Sequence, residues 1–316
     1  MRVKNILVTG SLAFDFIMDF PDTFRSHIDP EKIHILNASF VIQTLQKTRG
    51  GTAGNIAYSL TLLQNPTTIL GVVGNDFTEY EEFLRKNGVN TANIKVSEKF
   101  LTSQAFMITD KDGNQISAFY PGAMVENIDL EVSDVKPLPS FAILSPSESN
   151  STKKYAAACK KLGIQFMYDP GQHLTSTPKD ILRFCIEESR VLIGNDYEIG
   201  VLKKSLGIKE KDLLDLTKIL IITLGPKGSL ILTEDESIEV LPAKPIQVLD
   251  PTGAGDAYRA GFITGYLKGF DLKTCGQMGS VASCYAVEKY GTNNHVFTVE
   301  EFKERYRQNF KSDLDL

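Results

Sequence analysis

Short apolar runs recur along the chain, and most end at a glycine or polar turn that precedes a segment with helical spacing of apolar residues. These runs lie at 6–10, 69–74, 141–144, 164–168, 191–194, 219–224 and 229–232. Runs of this length are typical of buried strands, and the segments 80–87, 151–162 and 276–287 predict helices between them. The pattern therefore predicts an α/β fold built on a parallel sheet.

Two stretches depart from this alternation. Residues 35–48 carry short, partly alternating apolar pieces, and the β-rich runs 103–109 and 115–120 flank Asp110–Asn114, whose Asp-Gly step favours a hairpin. An antiparallel hairpin is a poor fit to a parallel sheet. We therefore expect a small separate β-sheet, a lid formed by insertions at about 13–48 and 98–122, on a single α/β domain covering residues 1–316.

Composition limits the function. The chain has 316 residues, a formal charge of -5 and 23% charged residues of mixed sign, so no basic patch indicates nucleic-acid binding. Its four cysteines and four histidines are scattered, which argues against a zinc site. Residues 1–9 lack a cleavage pattern and no apolar run spans 18 residues. We expect a cytoplasmic protein that binds neither nucleic acid nor membrane.

The segment Asp250–Asp256 carries the clearest chemistry. Residues 247–249 are expected to end a strand, Pro251 stops the ladder, and a helix follows. Gly253, Ala254 and Gly255 let the backbone approach a ligand closely, and N–H groups at a helix start attract an anion such as phosphate. A carboxylate beside an anion suits a base that accepts the proton of an attacking hydroxyl, which is the role predicted for Asp256. An ordinary glycine-rich turn with Asp256 as a cap is the alternative.

A second glycine-rich turn, 49–54, also leads into a helix. Asn55 near its start offers both an amide donor and a carbonyl acceptor to a substrate hydroxyl, although helix capping would explain it equally. Asp15 follows the first predicted strand, at the position where ligands bind in open α/β sheets, and its two oxygens suit a vicinal diol. A solvated loop aspartate is the competing interpretation.

Asn195 and Glu198 are three residues apart at a predicted helix start. On one helix face they would hold hydrated magnesium beside nucleotide phosphates, but the same spacing is that of a capping box. The chain has no Gly-x-x-x-x-Gly-Lys-Ser/Thr motif, so any phosphate site is not of the Walker type.

Together these motifs resemble the ribokinase (phosphofructokinase B) family of sugar and nucleoside kinases over nearly the whole chain. The resemblance implies a three-layer α/β/α core with a central mostly parallel sheet and a β lid. It implies that Asp256 is the base, with the 253–255 amides as anion hole. The implied substrate-binding residues are Asp15, Gly50, Gly51 and Asn55, and the implied ATP-site residues are Asn195, Thr223, Gly225, Gly228 and Ser280, with magnesium organised by Asn195 and Glu198 and a potassium ion in some members.

Details of the motifs are most similar to bacterial adenosine-kinase-like members, notably Pro251 and the segments 169–172 and 291–295. The expected reaction is ATP-dependent phosphorylation of a primary hydroxyl of a nucleoside, adenosine giving AMP. A purine could stack on one or two of the lid aromatics, which are Phe14, Phe16, Phe20, Phe40, Phe106, Phe119 and Tyr120. A ribokinase- or fructokinase-like sugar kinase is the alternative, followed by a non-catalytic sensor. Exposed lid edges could also pair two subunits into a homodimer.

Overall fold

The computed structural model describes residues 5–35 and 37–316, so residues 1–4, where we looked for a targeting segment, and residue 36 lie outside it. A nine-stranded sheet forms the centre of the molecule. Its strands are β1 (Ile6–Thr9), β4 (Thr67–Val73), β5 (Asn90–Val96), β8 (Phe141–Leu144), β9 (Gln165–Tyr168), β10 (Val191–Asn195), β11 (Ile219–Thr223), β12 (Ser229–Leu232) and β13 (Ser237–Val240).

The strand order is β13-β12-β11-β10-β9-β8-β1-β4-β5. β12 pairs antiparallel with both β11 and β13, and the other neighbouring strands pair in parallel. β1 pairs in parallel with β4 on one side and with β8 on the other. The chain thus builds outward from β1 in both directions. In open α/β sheets, ligands bind outside the carboxyl ends of the strands at such a reversal of strand order.

Helices cover both faces of the sheet. The α-helices of the described residues are α1 (Phe24–His27), α2 (Thr52–Leu62), α3 (Thr78–Lys86), α4 (Ser149–Leu162), α5 (Lys179–Glu188), α6 (Asp196–Leu206), α7 (Glu210–Leu214), α8 (Ala254–Lys268), α9 (Leu272–Val287) and α10 (Val299–Phe310). Ile6 and Val8 of β1 face a core shared with α2, α3 and α8, whereas Leu7 faces one shared with α4, α5 and α6. Alternate side chains of a strand point to opposite faces, so this split confirms the three-layer arrangement. None of the helices in the described ranges combines the length and apolar character needed to cross a membrane.

The lid is a separate four-stranded sheet, as predicted. Its strands are β2 (Ala13–Asp19), β3 (Thr44–Gly50), β6 (Ser103–Thr109) and β7 (Gln115–Tyr120), in the order β3-β2-β6-β7. The predicted hairpin is confirmed, because β6 and β7 pair antiparallel over their full lengths. Of the predicted β-rich stretch 35–48, only the last part forms a strand, since β3 begins at Thr44 and continues to Gly50.

The prediction that a strand ends at 247–249 is wrong. Residues 241–253, all of them described, contain no strand after β13. Pro242 and Pro245 interrupt this segment, and the Leu249 N–H donates to the Val287 carbonyl of α9 at 2.8 Å rather than to a neighbouring strand. The apolar residue Val248 is 63% exposed, so the run 247–249 is not a buried strand end.

Candidate active site

The 250–256 turn begins helix α8, as predicted. Gly253 is the residue before the helix and has a φ of 81°, a conformation that favours glycine. Asp250 fixes the turn, since its carboxylate accepts the Thr252 and Gly291 N–H groups, each at 2.9 Å. Ala254 donates to the Pro251 carbonyl at 3.3 Å, whereas Gly253 and Gly255 donate to no residue that the structure describes. Two of the three predicted anion-hole amides are therefore available to a ligand.

Asp256 lies in the first turn of α8. Its side chain is half-buried and densely surrounded by protein, and this burial raises its pKa to about 6, against the opposing effects of the Arg259 charge and the Asn55 hydrogen bond. Loss of solvation outweighs the favourable helix N-terminus, and the carboxylate becomes a better proton acceptor near neutral pH.

Asn55 is tied to Asp256. Its Nδ2 donates to Oδ2 of Asp256 at 2.9 Å. Its Oδ1 accepts the Thr292 hydroxyl at 2.7 Å and the Asn293 amide at 3.3 Å, so the amide orientation is fixed. The residue capping α2 is Gly51, with a φ of 85°, and Asn55 lies within the helix. The capping alternative for Asn55 is therefore wrong.

Asp15 lies within strand β2 of the lid rather than in a loop, and it is only 8% exposed, so the solvated-loop interpretation is wrong. Burial, followed by the negative charges of Asp256 and Asp250, raises its pKa to about 7. The sequence identified Asp15 as a candidate but not its place in a strand, because β1 ends at Thr9 and a new strand begins only four residues later, at Ala13. Gly50 lies against it: a Cβ at residue 50 would be 2.1 Å from Asp15 Oδ2.

The strand register separates the lid aromatics. Asp15 pairs with Ala105, which pairs with Phe119, so these residues occupy one row and one face of the lid sheet. Phe119 also contacts His173 of the core, with ring centroids 6.1 Å apart. The other aromatic side chains on the lid strands belong to the opposite face, namely Phe14, Phe16, Phe106 and Tyr120. Phe20 and Phe40 pack against each other and Phe24 in a separate cluster.

A cavity of about 620 Å³ lies against the 253–255 turn, with Ala254 and Gly255 in its wall. Four of the five residues predicted for the ATP site line it, namely Thr223, Gly225, Gly228 and Ser280, together with Gly255 of the turn. The fifth, Asn195, is not among its lining residues. Its walls are mainly apolar and include Pro245, Val248, Tyr258 and Val287. The Ser280 hydroxyl accepts the Ala243 N–H at 2.7 Å and so holds the 241–249 segment against α9. The size and the apolar walls fit an adenine nucleotide, with its phosphates toward the helix N-terminus.

Asn195 and Glu198 form a complete capping box on α6. Asn195 Oδ1 accepts the Glu198 N–H, and Glu198 Oε2 accepts the Asn195 N–H, each at 2.8 Å. The second carboxylate oxygen, Oε1, bonds to no residue in the described part of the chain. Burial raises the pKa of Glu198, and the Asp169 charge adds to this effect. The cap and a water-mediated cation contact are thus compatible in one side chain.

The motifs did not predict two charged residues beside this site. Arg259 of α8 and Asp169 after β9 form a buried ion pair, with Arg259 Nη2 donating to Oδ1 at 2.8 Å and Nε lying 2.6 Å from Oδ2. A signal was present in the sequence, since Arg259 follows Asp256 by three residues and therefore shares its helix face. The partner could not be assigned, because it is 90 residues away in the chain.

The chain matches known proteins over nearly its whole length. The model of the pfkB family carbohydrate kinases matches residues 9–298. A nucleoside kinase of Methanocaldococcus jannaschii is 33% identical over 309 residues, covering 96% of this chain and 97% of its own. The structure of Burkholderia thailandensis nucleoside kinase in complex with inosine superposes with a TM-score of 0.90 at 30% identity, covering 98% of this chain and 100% of that one. The same Burkholderia kinase has also been solved with ADP and inosine, with a TM-score of 0.87 at 32% identity over 98% of this chain and 97% of that one.

The family match covers most of the chain, including the 250–256 turn and the residues that line the nucleotide-sized cavity. The protein is an ATP-dependent kinase that phosphorylates hydroxyl groups. The chain belongs to the pfkB family of carbohydrate kinases.

Proposed function

We propose that this protein phosphorylates the 5′-hydroxyl of a purine nucleoside, with adenosine as the substrate and AMP as the product. The observation that carries the proposal is the position of Asp15, which is close enough to Asp256 to feel its charge and shares a row of the lid sheet with Phe119. Relatives named nucleoside kinases, one of them solved with inosine, support the same substrate class. The adenosine-kinase-like motifs favour adenosine among the purine nucleosides.

Asp256 would accept the proton of the 5′-hydroxyl as its oxygen attacks the γ-phosphorus of ATP. With a pKa of about 6 the carboxylate is mostly ionised at neutral pH, yet basic enough to assist the transfer. The Gly253 and Gly255 N–H groups, at the start of α8, would stabilise the charge on the transferred phosphoryl group. The bond from the γ-phosphorus to the bridging oxygen breaks, and ADP leaves through the nucleotide cavity.

Asp15 would hold the ribose 2′- and 3′-hydroxyls. Neighbouring strands are about 4.8 Å apart, so Phe119, two strands away in the same row, lies roughly 10 Å from the Asp15 backbone. A nucleoside spans this distance because its base extends from C1′ beyond the ribose ring, whereas a free pentose does not. Phe119, supported edge-on by His173, is the stacking surface we assign to the base.

Gly50 and Gly51 would shape the sugar site through their backbone, and Asn55 would act on it through Asp256. Thr223, Gly225, Gly228 and Ser280 would line the ATP site. Magnesium supplies charge neutralisation on the phosphates when bound, and Asn195 and Glu198 fit it through water, given the unpaired Glu198 oxygen. A potassium ion would depend on loop carbonyls near the 253–255 turn.

A sugar kinase of the same family is the second candidate, because the Asp15 carboxylate would hold the diol of a sugar equally well. The test compares kcat/KM for adenosine, inosine, other nucleosides, ribose and fructose at identical ATP, magnesium and potassium. We expect adenosine to exceed every free sugar by more than tenfold. A free sugar that wins by that margin would replace the proposal with the sugar kinase, and binding without any turnover would favour a sensor.

The lid also suggests assembly. All six residues of the edge strand β7 are exposed, and an uncovered edge can pair with another chain. We propose a homodimer through the lid. Light scattering should give twice the mass of 35.0 kDa, and a monomer at micromolar concentration would exclude it.

A further inference from the structure

The ion pair of Arg259 and Asp169 is built into the site but has no role in the mechanism above. Both side chains are buried, at 8% and 2% exposed, and they meet through two contacts of 2.6 and 2.8 Å. A buried ion pair with one hydrogen bond and a second close contact restricts both side chains. It also joins the first turns of α8 to the carboxyl end of β9.

The guanidinium lies against the predicted anion hole. A Cβ on Gly255 would be 2.8 Å from Arg259 Nη1, so the absence of a side chain at residue 255 makes room for the arginine. Asp256 shares this helix face. The charge of Arg259 therefore lies next to both the turn that would receive the phosphoryl group and the carboxylate that would receive the proton.

We propose that Arg259, held by Asp169, is a positioning residue for phosphoryl transfer, whose guanidinium keeps a fixed positive charge beside the Asp256 carboxylate and against the 253–255 turn. This inference rests on the proposed role of Asp256 as the base. In this assignment Arg259 acts through Asp256 and the turn rather than on the substrate, with Nη2 donating to Asp169 and Nη1 on the side of Gly255 where a Cβ would point.

The groups around Asp256 are mostly negative, so a positive charge beside it is needed to favour its ionised form. The charged groups that face Asp256 are Asp15 on the lid, Asp169 after β9, Glu198 on α6 and Arg259 on α8, with the phenol of Tyr80 of α3 nearby. Three of these neighbours are carboxylates. Among these groups Arg259 is the one that favours the ionised form of Asp256, and Asn55 adds a hydrogen bond.

Two neutralising substitutions separate this role from a structural one. Arg259→Gln removes the cation, so the acid limb of the kcat profile at saturating nucleoside, the pH below which activity falls, should move up by about one unit or more. Activity at pH 6 should fall about fivefold or more further than at pH 9. Asp169→Asn removes an anion and should move the acid limb down. The position of the limb does not depend on the fraction of folded protein where that fraction is constant over the pH range, so it is read over the range in which the variant stays folded.

Arg259→Lys retains the charge and should keep the wild-type acid limb even if stability falls. The matched control is the buried pair of Arg305 and Glu288, with contacts of 2.7 and 3.0 Å, whose charges are not among those that act on Asp256. Arg305→Gln should lower the melting temperature and leave the limb unchanged.

If both Arg259→Gln and Asp169→Asn keep the wild-type acid limb, or shift it in the same direction, the positioning role is wrong. Asp256→Asn distinguishes this from failure of the proposed function. An inactive Asp256→Asn with unshifted Arg259 variants rejects the ion-pair role alone, whereas an active Asp256→Asn rejects the base.

Discussion

The amide of Asn55 donates to the Asp256 carboxylate at 2.9 Å across 201 residues of sequence. Thr292 and Asn293 bind the amide oxygen, so Asn55 cannot rotate to present its acceptor to the carboxylate. The start of α2 therefore orients the candidate base on α8. This explains why the two glycine-rich turns of the sequence belong to one site.

The first prediction concerns Asp256 itself. Asp256→Asn keeps the size of the side chain but removes the proton acceptor, so kcat should fall by about 10²–10⁴, the usual range for a positioned general base. Binding of ADP should be retained, because the nucleotide cavity is unchanged. Titration of ADP into the variant, together with steady-state turnover, checks both. Near wild-type turnover would remove Asp256 from the mechanism.

Asp15 gives a prediction in which activity and stability change in opposite directions. Asp15→Asn should lower kcat/KM for adenosine by roughly 10-fold to over 100-fold, since a charged partner of two hydroxyls is worth about 1.5–3 kcal/mol. Burial raises the pKa of Asp15 from 3.8 to about 7. The folded protein therefore binds this proton more tightly than the unfolded chain does, and stability is lost as the pH rises from about 4 to about 7. The variant should therefore melt at a higher temperature than the wild type at pH 8.

The gain should shrink as pH falls through 7, because the folded wild type then keeps the proton on Asp15, and it should vanish near pH 4, where the unfolded chain is protonated too. Melting curves of both proteins at pH 4, 6 and 8 measure this difference. An unchanged melting temperature at pH 8 would mean that Asp15 carries no buried charge.

Gly50 tests the geometry of the sugar site. Gly50→Ala places a Cβ 2.1 Å from the present position of Asp15 Oδ2, so the carboxylate must move. KM for the nucleoside should rise by about tenfold with KM for ATP unchanged, because displacing one catalytic group by about 1 Å has effects of this order or larger. Gly200→Ala, at a helix position with nothing within 4 Å, is the control and should leave both KM values as they are. Equal nucleoside KM values in both variants would contradict the contact.

The fold was largely predictable because buried strands and their glycine stops are local signals. Runs such as Phe141–Leu144 and the hairpin around Asp112-Gly113 require only their own residues to be recognised. The position of Asp256 in the first turn of a helix was also predictable, since the helix start and its glycines are adjacent in sequence.

The remaining features depend on distant partners. The position of Asp15 in a lid strand is determined by pairing with β3 and β6, 33 and 90 residues away in the register Asp15↔Thr48 and Asp15↔Ala105. The partner of Arg259 and the elevated pKa of Asp256 arise only when α2, α6, α8 and β9 are assembled. No local pattern encodes such burial.

Glu198 separates helix capping from magnesium handling. Glu198→Gln keeps an oxygen that can accept the Asn195 N–H, so the melting temperature should stay nearly unchanged. If the carboxylate also holds hydrated magnesium, the magnesium concentration for half-maximal rate should rise several-fold, because the amide has lost the charge that attracts the cation. A magnesium titration at saturating substrate and fixed ATP checks this. An unshifted titration would leave Glu198 with the capping role alone.

Phe119 and Tyr120 form a matched pair for the substrate prediction. They are neighbours on β7 with similar exposure, 43% and 41%, but they lie on opposite faces, and Phe119 alone shares the Asp15 row. Stacking on an aromatic ring is worth about 0.5–1.5 kcal/mol beyond burial. Phe119→Ala should therefore lower kcat/KM for adenosine by roughly 2- to 12-fold.

For any free sugar that is turned over, the change should be small, because a sugar has no base to reach β7. Tyr120→Ala should leave both values near wild type, which controls for damage to the lid strand. The ratio of kcat/KM for adenosine to that for ribose, measured in all three proteins, is independent of the amount of active enzyme. If Phe119→Ala leaves this ratio unchanged, the base does not stack on this face of the lid, and the distance argument that favours a nucleoside over a sugar fails with it.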